Sequence, residues 1–208
     1  MKEKLKTKII LGGGFASKSP DGGRSLYEDI VRDLPDPVRV LNVVFALPES
    51  EWKRTEIKNE NLFQNLVPNR QIQSELANYS DFRDQIQRSD VIFLHGGDPE
   101  KLKDKLKKIE GLNTLFKGKR IIGISAGAYV LSAFYIKVDE NGEISLKKGL
   151  GYLPIKTVVH YGSSFYVSKF PDVFSWDKVD QLLNKVELGY RSVLLREGEH
   201  EIFITDEL

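Results

Sequence analysis

The segment KRIIGISAGAYVLSAF, residues 119–134, sets a serine among small residues where an apolar run gives way to a helix-like pattern. Gly123-Ile124-Ser125-Ala126-Gly127 fits the G-x-S-x-G elbow, in which a strand turns sharply into a helix and lifts a hydroxyl clear of the backbone. A nucleophilic serine also needs a base to take its proton and donors for the oxyanion that forms. The first amides of the following helix suit the last of these needs. The same small residues equally suit a close strand–helix junction without chemistry, so the pentapeptide leaves both readings open.

Three histidines are available as the base. His95 precedes the glycine pair of HGGD, and His200 lies in the polar stretch REGEHE. His160 closes the apolar strand IKTVV, 35 residues after the serine, and its strand-end position makes it the candidate base. A base of this kind is oriented by an acid behind it. Glu197, in VLLREG, and Asp139, in KVDENG, both qualify. HGGDPEKL adds Gly96 and Gly97, which let the backbone approach a substrate, and Asp98, placed to cap the next helix. The chain has no cysteine, which excludes thiolate catalysis, disulfides and Cys-ligated zinc. Neither HGGD nor the GGG at 12–14 continues into a phosphate-cradling motif, so both are weak evidence for a nucleotide.

Short apolar runs alternating with amphipathic stretches predict an α/β fold with a largely parallel sheet, whose sites form at the carboxyl ends of the strands. KIILGG (8–13), VRVLNVVFALP (38–48), VIFLHGGD (91–98), RIIGIS (120–125) and IKTVVHYG read as strands. SLYEDIVRDL, EWKRTEIKNENLFQNLV, PEKLKDKLKKI and SWDKVDQLLNKV read as helices, the last with Ser175 as its cap. SDFRDQIQRSD reads as a weaker helix capped by Ser80. FYIKVDENGEISLKKG predicts a hairpin around Asn141-Gly142, and RSVLLREGEHEIFIT a second one turning at Gly198. The Gly-rich stretch 12–25 is expected as a loop on the strand-end face.

The 208 residues suit a single domain, 1–208. A net charge of +1 gives no bias toward nucleic acid or a membrane surface. The start MKEKLKTKIILGGG has no long apolar leader, and no segment reaches the ~20 apolar residues of a membrane span. The ending ITDEL is no retention signal without such a leader, and a cytoplasmic protein is expected.

HGGDPEKL, GISAGAYVLS, TVVHYG and VLLREGEHEI, in that order, resemble the serine peptidase family of aspartyl dipeptidase (dipeptidase E) and cyanophycinase, over roughly residues 8–205. The resemblance implies a three-layer α/β/α sandwich with a mostly parallel sheet, like class I glutamine amidotransferases, with serine replacing cysteine at the elbow. It makes Ser125 the nucleophile, His160 the general base and Glu197 the orienting acid, with Asp139 as the alternative. Gly97 and Ala126 would supply the oxyanion amides, and Gly96 and Asp98 would line the substrate cleft. An acyl-enzyme on Ser125 is implied, hydrolysing a short peptide or an isopeptide-like bond with no metal or cofactor, and a monomer or homodimer is expected. One departure bears on specificity: YGSSFYVSKFPDVFSWDKVDQLL, after His160, lacks the basic segment that would suit an acidic substrate side chain. The rival readings are an esterase-type serine hydrolase and a binding domain that keeps the elbow for packing.

Overall fold

Strands buried on both faces carry apolar residues at every position, and their two faces must each be covered by helices. The computed structural model describes residues 6–186 and 189–206. The first five residues of the charged start and the last two of ITDEL lie outside that range, so the readings placed on those residues are not addressed by it.

The chain opens with β1 (Thr7–Gly12), α1 (Arg24–Val31), β2 (Val38–Val43), α2 (Trp52–Leu66) and β3 (Ile72–Leu76). It continues through α3 (Phe82–Arg88), β4 (Val91–Leu94), α4 (Pro99–Lys107), α5 (Leu112–Phe116), β5 (Arg120–Ile124) and α6 (Ala126–Leu131). β6 (Ser132–Val138), β7 (Ile144–Lys148), β8 (Leu153–Val158), α7 (Ser164–Lys169) and α8 (Trp176–Lys185) follow. β9 (Arg191–Leu194) and β10 (His200–Thr205) end the described chain. Six strands form one sheet in the order β10-β1-β5-β4-β2-β3, parallel except for β10. A smaller sheet, β7-β6-β8-β9, is parallel except for β7.

The period-two alternation of the large sheet sorts its residues into two cores. Ile9, Leu11, Leu41, Ile92 and Ile121 pack with α3, α4, α5 and α6 on one face. Ile10, Val40, Phe93 and Ile122 pack with α1 and α2 on the other. α8 covers the smaller sheet through Val179 and Leu183 against Ile136 and Val158. The result is helix, sheet and helix in three layers.

The local expectations are met at Asp98, whose carboxylate caps α4 by accepting from Glu100 N and Lys101 N with Pro99 in the first turn, and at Ser175 on α8. The Asn141-Gly142 hairpin is the β6–β7 pair. Three expectations are corrected. β9 and β10 are not a hairpin: β9 pairs with β8 in the small sheet and β10 with β1 in the large one, so the turn between them crosses from one sheet to the other. Ser80 does not cap α3; its hydroxyl bonds Asn78 and Asp81 side chains, and Asp81 stands at the cap position. β2 stops at Val43, where the backbone leaves the ladder and turns toward the end of β4.

Candidate active site

Gly123 and Gly127 stand where β5 meets α6 too closely for any side chain. A Cβ on Gly123 would lie 2.6 Å from the Gly127 backbone, and one on Gly127 would overlap the Leu94 carbonyl. This squeeze forces Ser125 into φ 53°, ψ −109°, a region a non-glycine residue occupies only under constraint. The constraint is the elbow itself: it turns Ser125 Oγ away from the sheet and toward His160.

His160 follows β8 and also has a positive φ, 56°. Its Nε2 lies 3.1 Å from Ser125 Oγ. Its Nδ1 lies 3.3 Å from Glu197 Oε1, and the other Glu197 oxygen is ion-paired with Lys18. A carboxylate only accepts, so Nδ1 carries the ring proton and Nε2 is left to accept from the serine hydroxyl. Burial holds the His160 pKa below its ordinary 6.5; the hydrogen bond and charge of Glu197 act the other way, and the Lys18 cation adds to the lowering. Burial also works against ionisation of Glu197, but the hydrogen bond and charge of Lys18, followed by those of His160, outweigh it and keep the carboxyl below its ordinary range. At neutral pH the pair is therefore a neutral imidazole beside an ionised acid.

The glycine run 12–14, at the end of β1, proves to be the support of this arrangement. Gly12 O accepts from Ser125 N at 3.0 Å, Gly13 O from His160 N at 3.1 Å, and Gly14 O from Gly198 N, next to Glu197, at 2.8 Å. Three consecutive carbonyls thus fix three segments that are far apart in sequence. Side chains are barred here, since a Cβ on Gly13 would overlap the Arg196 carbonyl and one on Gly14 would overlap the His160 ring. The sequence motif was visible, but its role was not, because it depends on which distant segments the sheet brings alongside.

The model of peptidase family S51 matches residues 49–188, which include the elbow and His160. The chain belongs to peptidase family S51. No curated protein matches this sequence. Among solved structures, a peptidase from an acI-B1 actinobacterium is similar at TM-score 0.62 and 20% identity, over 96% of this chain and 84% of that one. A protein assigned as a peptidase E from Listeria monocytogenes EGD-e is similar at TM-score 0.65 and 17% identity, over 98% of this chain and 99% of that one. The three-layer α/β/α fold with a mostly parallel sheet is therefore that of the peptidase E class, of glutamine amidotransferase type.

In this S51 chain the other sequence candidates fall into two groups. Gly97, Asp98 and Ala126 line a cleft of about 290 Å³ together with Ser125 and His160. Among the described residues, the amides of Gly97 and Ala126 have no hydrogen-bond partner. Gly97 has φ 135°, and a Cβ there would lie 2.5 Å from Ala46 O, so this position excludes other residues. Gly96 backs the serine, its would-be Cβ 3.3 Å from Ser125 Cβ, and lines a neighbouring cavity of about 300 Å³ with Tyr27, Asn59 and His95.

The rest stand apart. Asp139 is held in the β6–β7 turn, its Oδ1 accepting from Asn141 N and Glu143 N, so Glu197 is the acid that the fold brings to His160. His95 is buried, stacks on Phe93 and bonds Asn42 Oδ1 through Nε2 at 2.8 Å. Burial drives its pKa down to about 3, so it is a neutral structural group. His200 pairs with Asp29 and ties β10 to α1. Sequence reasoning overlooked Lys18 and Phe15, both in the glycine-rich loop: Lys18 pairs with Glu197, and the Phe15 ring leans on His160 at 5.4 Å. Only the expectation of a loop on the strand-end face pointed toward them.

Proposed function

We propose that this S51 peptidase hydrolyses short peptides through an acyl-enzyme on Ser125. His160 takes the Ser125 proton as the hydroxyl oxygen attacks the scissile carbonyl, and then returns it to the leaving amine. Glu197 holds the ring in the tautomer that leaves Nε2 free to accept and stabilises the imidazolium that forms. The amides of Gly97 and Ala126 receive the oxyanion. Water, activated by the same imidazole, then releases the acyl group and frees the serine.

The observation that carries this reading is the continuous Ser125–His160–Glu197 hydrogen-bond chain on a strained elbow. The experiment is hydrolysis of a set of dipeptides and tripeptides by the wild-type chain and by Ser125→Ala. Turnover that falls at least a thousandfold in the variant supports the assignment. Equal turnover in the two proteins removes Ser125 from the chemistry.

A further inference from the structure

The cleft that holds Ser125 is walled in an uneven way. Of the eleven phenylalanines in the sequence, only Phe15 and Phe165 are exposed, at 59% and 60%, and both line this cleft. Phe15 comes from the glycine-rich loop and leans on His160. Phe165 comes from α7, where it packs edge-on against Tyr166 with ring centroids 5.1 Å apart. Tyr166, Ile136, Val138 and Val159 continue the apolar wall around the serine. Large apolar groups left in water at the mouth of a site mark a surface that a ligand covers.

Besides His160, the charged side chains that line the cleft are Asp98 and Lys137. Asp98 is spent as the cap of α4. Lys137 is the cationic lining residue, and its charge is one of those acting on Glu100. Burial raises the Glu100 pKa; the hydrogen bonds from Lys103 and Tyr135, then the charges of Lys103 and Lys137, outweigh it and keep the carboxyl ionised.

From this wall we infer that the cleft takes a peptide with a bulky apolar or aromatic residue beside the scissile bond, held between Phe15 and Phe165. This inference rests on the serine peptidase reading of the site but concerns what occupies the cleft. Filling an apolar pocket with one more apolar group changes binding by roughly 10–200-fold, so Phe- or Leu-containing dipeptides exceed their Gly counterparts by that factor.

The test separates occupancy from chemistry. Binding of Phe-Leu, Leu-Leu, Gly-Leu and Asp-Leu, and of the reversed-order set, is measured by calorimetry on Ser125→Ala, and kcat/KM on the wild type. Tighter binding of the Phe and Leu members by at least tenfold supports the inference. Asp members binding as tightly as Phe members, or all members binding alike, overturn it. In Phe165→Ala, an exposed position whose loss leaves the core intact, the Phe-over-Gly ratio shrinks toward one; an unchanged ratio also overturns it. Absence of wild-type turnover on every peptide would refute the proposed reaction, while the binding series still decides the cleft preference.

Discussion

Replacing Gly14 by alanine tests whether the glycine run supports the triad. The added Cβ would overlap His160 Cε1 and lie 2.9 Å from Nε2 and 3.0 Å from Nδ1, where ordinary contacts need about 3.5–4.0 Å. The ring must retreat by about 1 Å, which breaks the 3.1 Å contact from Nε2 to Ser125 Oγ. Displacements of that size cost about 100-fold in rate. Gly14 also has φ 99°, so alanine there adds about 1–3 kcal/mol of backbone strain to about 1–3 kcal/mol of overpacking. Gly22→Ala is the control: its φ of 67° is also positive, but nothing lies within 4 Å of its Cβ. It therefore loses only about 1–2 kcal/mol, with kcat/KM unchanged. The assays are peptide hydrolysis and the urea midpoint of both variants. If Gly14→Ala keeps kcat/KM within twofold of wild type, or matches Gly22→Ala in both assays, the role given to the glycine run is wrong.

The pH dependence gives two more expectations. With His160 held below its ordinary 6.5, chiefly by burial, kcat/KM falls on acidification with an apparent pKa below 6.5. Lys18→Met removes a cation that lowers His160, so this acid limb moves to higher pH; a move in the other direction contradicts the arrangement. His95 acts on stability instead. Its folded pKa, about 3, lies below the ~6.5 of an unfolded chain, so the unfolded state binds the extra proton. The contribution is complete above pH ~6.5 and is lost as the pH falls toward 3, amounting to about 3 kcal/mol at pH 4. Urea unfolding at pH 7 and pH 4 should show a larger loss in wild type than in His95→Gln; equal losses would show that His95 is not buried neutral.

The candidates best read from sequence were those whose chemistry is local. Ser125 stood out as a candidate through its small neighbours, and for Gly123 the steric rule is local, since its Cβ would meet the Gly127 backbone four residues on. Asp98 and Ser175 were legible as caps for the same reason. His160 was found by its strand-end position, but the choice between Glu197 and Asp139 required knowing that the β9–β10 segment crosses between sheets. An apparent hairpin pattern concealed that crossing, since alternation along a strand says which face is buried and not which partner lies beside it. β3 escaped notice because QIQSEL is a half-exposed edge strand with little apolar signal. Phe165 gave no signal, and Phe15 only that of lying in the glycine-rich loop: an aromatic residue in a loop or short helix looks the same in sequence whether it lines a cleft or fills a core.

The seam between the two sheets has a consequence for how the molecule fails. Ser125 ends a strand of the large sheet, His160 ends a strand of the small one, and Glu197 rides on the turn that joins them. The hydrogen-bond chain is thus a gauge of how the sheets sit against each other, sensitive to slippage of less than an ångström. Warming or mild denaturant should silence the protein at a point where each sheet, and its circular dichroism, is still whole.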